Sequence, residues 1–118
     1  MSKMTVIYYV DTKNRSPVKE FIDSLNEKQQ DKIVRAIHPI TEFGIGSHLR
    51  NTKKLTGTDL WEIRILGKDS IRIIYALEIQ DVILILHIFV KKSQKTPMKE
   101  IGVAERRLHE FRSRNGLT

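Results

Sequence analysis

Residues 82–97 read VILILHIFVKKSQKTP, and the fold turns on how this run divides. Val82–Val90 is apolar at odd and even positions alike, with His87 as its polar break. A short apolar run of this kind, bounded by polar residues, reads as a central strand. Lys91, Lys92 and Lys95 follow, and Thr96-Pro97 then reads as a helix cap with proline at the first helical position. His87, Phe89 and Lys91 are two apart and so share a face of the strand. A buried strand that ends in an imidazole and three ammonium groups puts cationic chemistry on a rigid support.

Working back toward the N-terminus, two further segments carry the period of a strand. Leu60–Leu66 alternates, with Trp61, Ile63 and Ile65 on one side and Glu62 and Arg64 on the other. Gly67-Lys68-Asp69 is a turn. Ile71–Leu77 then places Ile71, Ile73, Tyr75 and Leu77 together, with Arg72, Ile74 and Ala76 opposite. A second turn falls near Gln80-Asp81. Trp61 and Tyr75 read as core, and Arg64 and Arg72 as members of one polar sheet face, with Lys53 and Lys54 just before its first strand.

The remaining elements are an N-terminal strand and three helices. Thr5–Val10 is β-branched and aromatic, as strands are. Ser16-Pro17 opens a short helix carrying Val18, Phe21, Ile22 and Leu25. Asn26 and Gln29 have the spacing of a capping box for a second helix, whose stripe is Ile33, Ala36, Ile37, Ile40 and Phe43. Pro39 inside that stripe predicts a kink or an early end, and Gly44 and Gly46 the stop. The last helix, from Thr96-Pro97, buries Ile101, Ala104, Leu108 and Phe111. The expected order is β-α-α-β-β-β-α, an α+β fold with a small, mostly antiparallel sheet and helices packed on one face.

At 118 residues the chain makes one domain, 1–118, with an ordered core of about 5–112. No apolar run approaches the roughly 20 residues of a membrane helix. Met1-Ser2-Lys3-Met4 leads directly into strand-like sequence, so a cytoplasmic protein without a secretory signal is expected. Cysteine is absent, which removes disulfides, thiolate metal ligands and a cysteine nucleophile. The four histidines show no i,i+4 pairing, the carboxylates around the strands are scattered, and no glycine-rich phosphate loop occurs. No metal and no cofactor are expected. The formal charge is +7, and residues 87–118 alone hold 8 basic against 3 acidic side chains. Such an excess favours phosphate backbones or an acidic protein partner.

Arginines on a sheet face grip phosphates with bidentate hydrogen bonds, and lysines add point charges around them. The plainer reading is that both arginines are solvated. His87 is either a packed histidine hydrogen-bonded to a neighbour or, if exposed, a proton donor or acceptor.

Lys53-Lys54-Leu55, Leu60-Trp61-Glu62-Ile63-Arg64, Arg72-Ile73-Ile74-Tyr75 and His87–Pro97 with Glu100 together resemble the HigB-like, phage-associated branch of the RelE/ParE toxin superfamily. The resemblance spans about residues 5–111, and its last motif is the specific one. It implies a RelE-like fold and the toxin of a type II toxin–antitoxin system that cuts mRNA on the 70S ribosome without a metal. In that reaction the ribose 2′-hydroxyl attacks the adjacent phosphate. Arg64 and Arg72 would hold the phosphate and neutralise its charge, and His87 would move protons if exposed. Lys91 is a further catalytic candidate, and Lys53, Lys54, Lys92 and Lys95 would steer RNA. The implied partner is a helix-turn-helix antitoxin encoded adjacently. Two rivals are a ParE-type inhibitor of DNA gyrase and a basic RNA- or antitoxin-binding module without activity.

Overall fold

The computed structural model describes residues 3–43, 51–65, 67, 70–91 and 95–116. Val82–Val90 is strand β5 of a five-stranded sheet, and it pairs on both sides. Chain order supplies β1 (Thr5–Tyr8), α1 (Pro17–Asp23), α2 (Glu27–Phe43), β2 (Thr52–Lys54), β3 (Leu60–Ile65), β4 (Ile71–Glu78), β5 and α3 (Met98–Arg114). The spatial order is β1-β5-β4-β3-β2. β1 runs parallel to β5, and the other three pairings are antiparallel. The α+β class and the mostly antiparallel sheet are thus as expected. Strand β2 is additional: three residues, Thr-Lys-Lys, are too short and too polar to show a period, and they pair by register with Trp61–Ile63.

The helices do not share one face, which corrects the expected arrangement. On one side α1 and α2 bury Val18, Ile33, Ile37 and Ile40 against Ile63, Ile73, Tyr75, Ile83 and Ile85. On the other, α3 lays Ala104 and Leu108 over Leu60, Ile74, Ala76, Leu84 and Leu86. The cause lies in the strands themselves. Fully burying a leucine is worth about 1.5–3 kcal/mol, and net stability is only about 5–15 kcal/mol. A sheet with Leu84 and Leu86 bare on its second face would forfeit a large part of that, so α3 must cover it.

Local signals at the helix starts hold in part. The Ser16 side chain accepts from Lys19 N at the head of α1. Asn26 and Gln29 exchange both bonds of a capping box, at 2.8 and 3.1 Å. Helix α2 continues past Pro39 to Phe43; Gly44 and Gly46 lie outside the described residues. Gln80 and Asp81 both take positive φ (63° and 59°) at the expected turn between β4 and β5. Thr96 departs from expectation. The N-cap of α3 is Pro97, without a side-chain cap bond, and the Thr96 hydroxyl instead donates to Glu62. A buried carboxylate is the stronger acceptor for that hydroxyl.

One irregularity in β5 positions the site. Ile74 pairs with His87 but Tyr75 pairs with Ile85, so Leu86 is the extra residue of a β-bulge. In a regular strand, Leu84 and Leu86 facing α3 would turn His87 and Phe89 to the opposite side. The bulge resets the alternation, so Leu84, Leu86 and Phe89 all lie in the α3-side cluster and His87 reaches α3 side chains.

Candidate functional site

The α3 side of the sheet carries two rows of side chains across the strands. Arg64, Arg72 and Phe89 are successive cross-strand partners in one row. Lys53, Glu62, Ile74 and His87 form the next. Arg64 and Arg72 therefore stand directly opposite each other on adjacent strands. Like charges in that position repel, so the pairing needs compensation.

Glu62 supplies part of it. Its carboxylate lies 3.9 Å from Arg72 Nη1 and 3.8 Å from Lys53 Nζ, and it accepts from Thr96 Oγ1. Glu62 is 1% exposed and Arg72 3%. Arg72 is therefore no surface arginine: it sits in the sheet, while Arg64 keeps partial access to solvent. The earlier picture of two guanidinium groups on an open face holds only for Arg64. The difference follows from α3, whose connection to β5 brings Thr96 onto the row that was expected to be bare.

His87 is held from both ends. Nε2 lies 2.7 Å from Glu100 Oε1, and Nδ1 lies 3.3 Å from Arg107 Nη1, which also donates to the Leu86 carbonyl at 2.8 Å. Its ring stacks on Phe89, with centroids 5.3 Å apart. Only 15% of the side chain is exposed. Burial lowers its pKa from the ordinary histidine value; the Arg107 charge acts the same way, and Glu100 opposes both. An arginine can only donate and a carboxylate can only accept, so Nδ1 is the bare nitrogen and Nε2 carries the proton. His87 is neutral near pH 7 in this setting.

The lysines are dispersed around this centre. Lys53 belongs to the Glu62 cluster, whereas Lys54, one residue on, holds its Nζ 5.8 Å from the Trp61 ring centroid. Lys91 follows β5 directly, with its backbone N–H bonded to the Ser70 carbonyl at 3.1 Å, and Lys95 is exposed. Lys92 lies outside the described residues. Among the described residues, no three His, Asp or Glu side chains stand together as metal ligands. No described helix is long and apolar enough to cross a membrane.

Sequence reading alone gave no site role to Glu62 or Arg107 and took Thr96 for a helix cap. Glu62 looked like one of several scattered acids, because nothing local announces that β2 will bring Lys53 beside it. Arg107 carried a faint signal: with Glu100 it flanks Ala104 at helical spacing, on the stripe that packs against the sheet.

Residues 20–109 match the family model described as phage derived protein Gp49-like (DUF891). The chain belongs to this family. The match takes in every residue of the two rows and all of the contacts to Glu100 and Arg107. No curated protein matches the chain. Gp49-like proteins form a RelE/toxin-like family associated with the toxins of toxin–antitoxin systems, so an antitoxin partner goes with the family.

Proposed function

We propose that this Gp49-like chain is the toxin of a type II toxin–antitoxin system, of the HigB kind, and that it cuts mRNA on the ribosome in the cytoplasm. The observation that carries the reading is the Arg64–Arg72 pair. Two guanidinium groups stand opposite each other, with Lys53 in the next row and Glu62 within 4 Å of both Arg72 and Lys53, so three cationic side chains gather on one patch of the sheet. Guanidinium groups so placed suit the bidentate hydrogen bonds and the charge of a phosphodiester. Arg64 meets the phosphate, Arg72 adds positive potential from beneath, and Lys53, Lys54, Lys91, Lys92 and Lys95 draw in RNA. The ribose 2′-hydroxyl attacks the adjacent phosphorus, giving a cyclic phosphate and a free 5′-hydroxyl. An adjacently encoded helix-turn-helix antitoxin covers the basic face.

The test is expression with mapping of mRNA 5′ ends by primer extension. Wild-type protein should arrest growth and produce codon-aligned cuts. Arg64→Ala should reduce cleavage by about 10²–10³, the loss typical of one charge-stabilising donor. Arg64 is the informative position because replacing the buried Arg72 would disturb the fold. Growth arrest with DNA damage and no mRNA cuts would instead support a gyrase inhibitor, and harmless expression an inactive binding module.

A further inference from the structure

Cleavage through the 2′-hydroxyl needs a group that removes its proton, and the bonding of His87 argues against that residue. A base must present a bare nitrogen or oxygen to substrate. The bare nitrogen of His87, Nδ1, faces Arg107 Nη1, and that guanidinium is pinned in place by its second bond to the Leu86 carbonyl. The other nitrogen carries its proton toward Glu100. Neither side of the ring is available.

Glu100 has what His87 lacks. It stands in the first turn of α3 on the same side of the sheet, and its side chain is 23% exposed. Oε1 is fixed by His87, and among the described residues nothing else bonds the carboxylate. It reaches the row next to Arg72 and Phe89, and Arg64 lies two strands across and one row along from His87, about 12 Å at normal strand geometry. That gap is bridged by an arginine side chain and one nucleotide.

We propose that Glu100 is the general base of the cleavage reaction and that His87 is its positioning residue, an inference that rests on the endoribonuclease reading above. The Glu100 carboxylate takes the proton of the 2′-hydroxyl as the 2′-oxygen forms its bond to phosphorus. The bond from phosphorus to the 5′-oxygen breaks, and that oxygen takes a proton from water. Glu100 returns its proton to the resulting hydroxide, so no proton is gained or lost over the cycle. The charged groups on this side of the sheet include Arg107 from α3, which approaches His87 Nδ1, and Arg72, Arg64, Lys53 and Glu62 from β2–β4.

Glu100→Gln decides the matter, since glutamine preserves the acceptor for His87 Nε2–H while removing the base. With full-length protein, ribosomes and a defined mRNA, cleavage should fall about 10²–10⁴-fold with the thermal midpoint unchanged. Wild-type cleavage should rise with pH, and that rise should vanish in Glu100→Gln. His87→Asn should lose less and keep that rise, and Glu100→Asp should restore part of the rate. Wild-type cleavage with an equally active Glu100→Gln overturns this assignment alone, as does a pH limb that disappears with His87→Asn and survives Glu100→Gln. Wild-type protein that cuts no RNA overturns both this inference and the reading on which it rests.

Discussion

Removing the Glu62 carboxylate should be among the most damaging single changes to the sheet. Glu62→Leu keeps the volume close and strips a partner from Arg72, Lys53 and Thr96 at once. At 3.9 Å the Arg72 contact is worth about 4 kcal/mol of attraction with an effective dielectric constant of about 20. The Thr96 bond to a charged acceptor adds about 1.5–3 kcal/mol, and Lys53, half exposed, adds little. Burying the two ions offsets part of this gain, so the expected loss is the about 3–5 kcal/mol typical of breaking a buried pair. In a domain of this size that lowers the thermal midpoint by roughly 10–20 °C. Chemical denaturation of Glu62→Leu, Arg72→Met and the double variant measures the coupling. The double variant should recover at least 1 kcal/mol relative to the sum of the singles, because it leaves no buried charge stranded. A Glu62→Leu protein that melts within 2 °C of wild type, or single losses that simply add, would refute the electrostatic account of this cluster.

His87 should titrate below the ordinary 6.5 in an NMR pH series, because burial and Arg107 outweigh Glu100. With the folded value depressed, the unfolded chain binds more protons just below pH 6.5, so stability falls as pH drops through that window. His87→Asn should flatten the fall, and a midpoint above 6.5 would show that Glu100 governs the ring. Asn26→Ala breaks the capping box and should cost about 1 kcal/mol, read as a lower denaturation midpoint with an unchanged slope. An unchanged midpoint would mean that α2 is held by its apolar stripe alone.

What the sequence disclosed and what it hid divide along physical lines. Strand periods, the Asn26–Gln29 box and the apolar stripe of α3 are local, and each appears where its spacing put it. The side on which α3 packs is not local. Yet the information was present in VILIL, since a strand apolar at every position cannot leave either face to water. By element order the helices were expected on one face, and Arg64 and Arg72 on the open one. In the fold these arginines mark the edge of α3's cover, where the β5–α3 connection brings Thr96 over the sheet.

The bulge at Leu86 is the feature no period could disclose, and the site depends on it. His87 and Phe89, two apart, do share a face, but whether that face joined the arginines or met α1 and α2 hung on a one-residue shift upstream. With regular pairing, leucines at 84 and 86 facing α3 would set His87 among the isoleucines of the other core, far from Glu100 and Arg107. A polar ring buried there without partners would cost on the order of 2–7 kcal/mol. The bulge avoids that cost and delivers the ring to a carboxylate and a guanidinium on a single helix. The irregular pairing is thus what puts His87 and its Glu100 partner on the same side of the sheet as Arg64 and Arg72, and a change that restored regular pairing would separate the arginine pair from the His87–Glu100 contact.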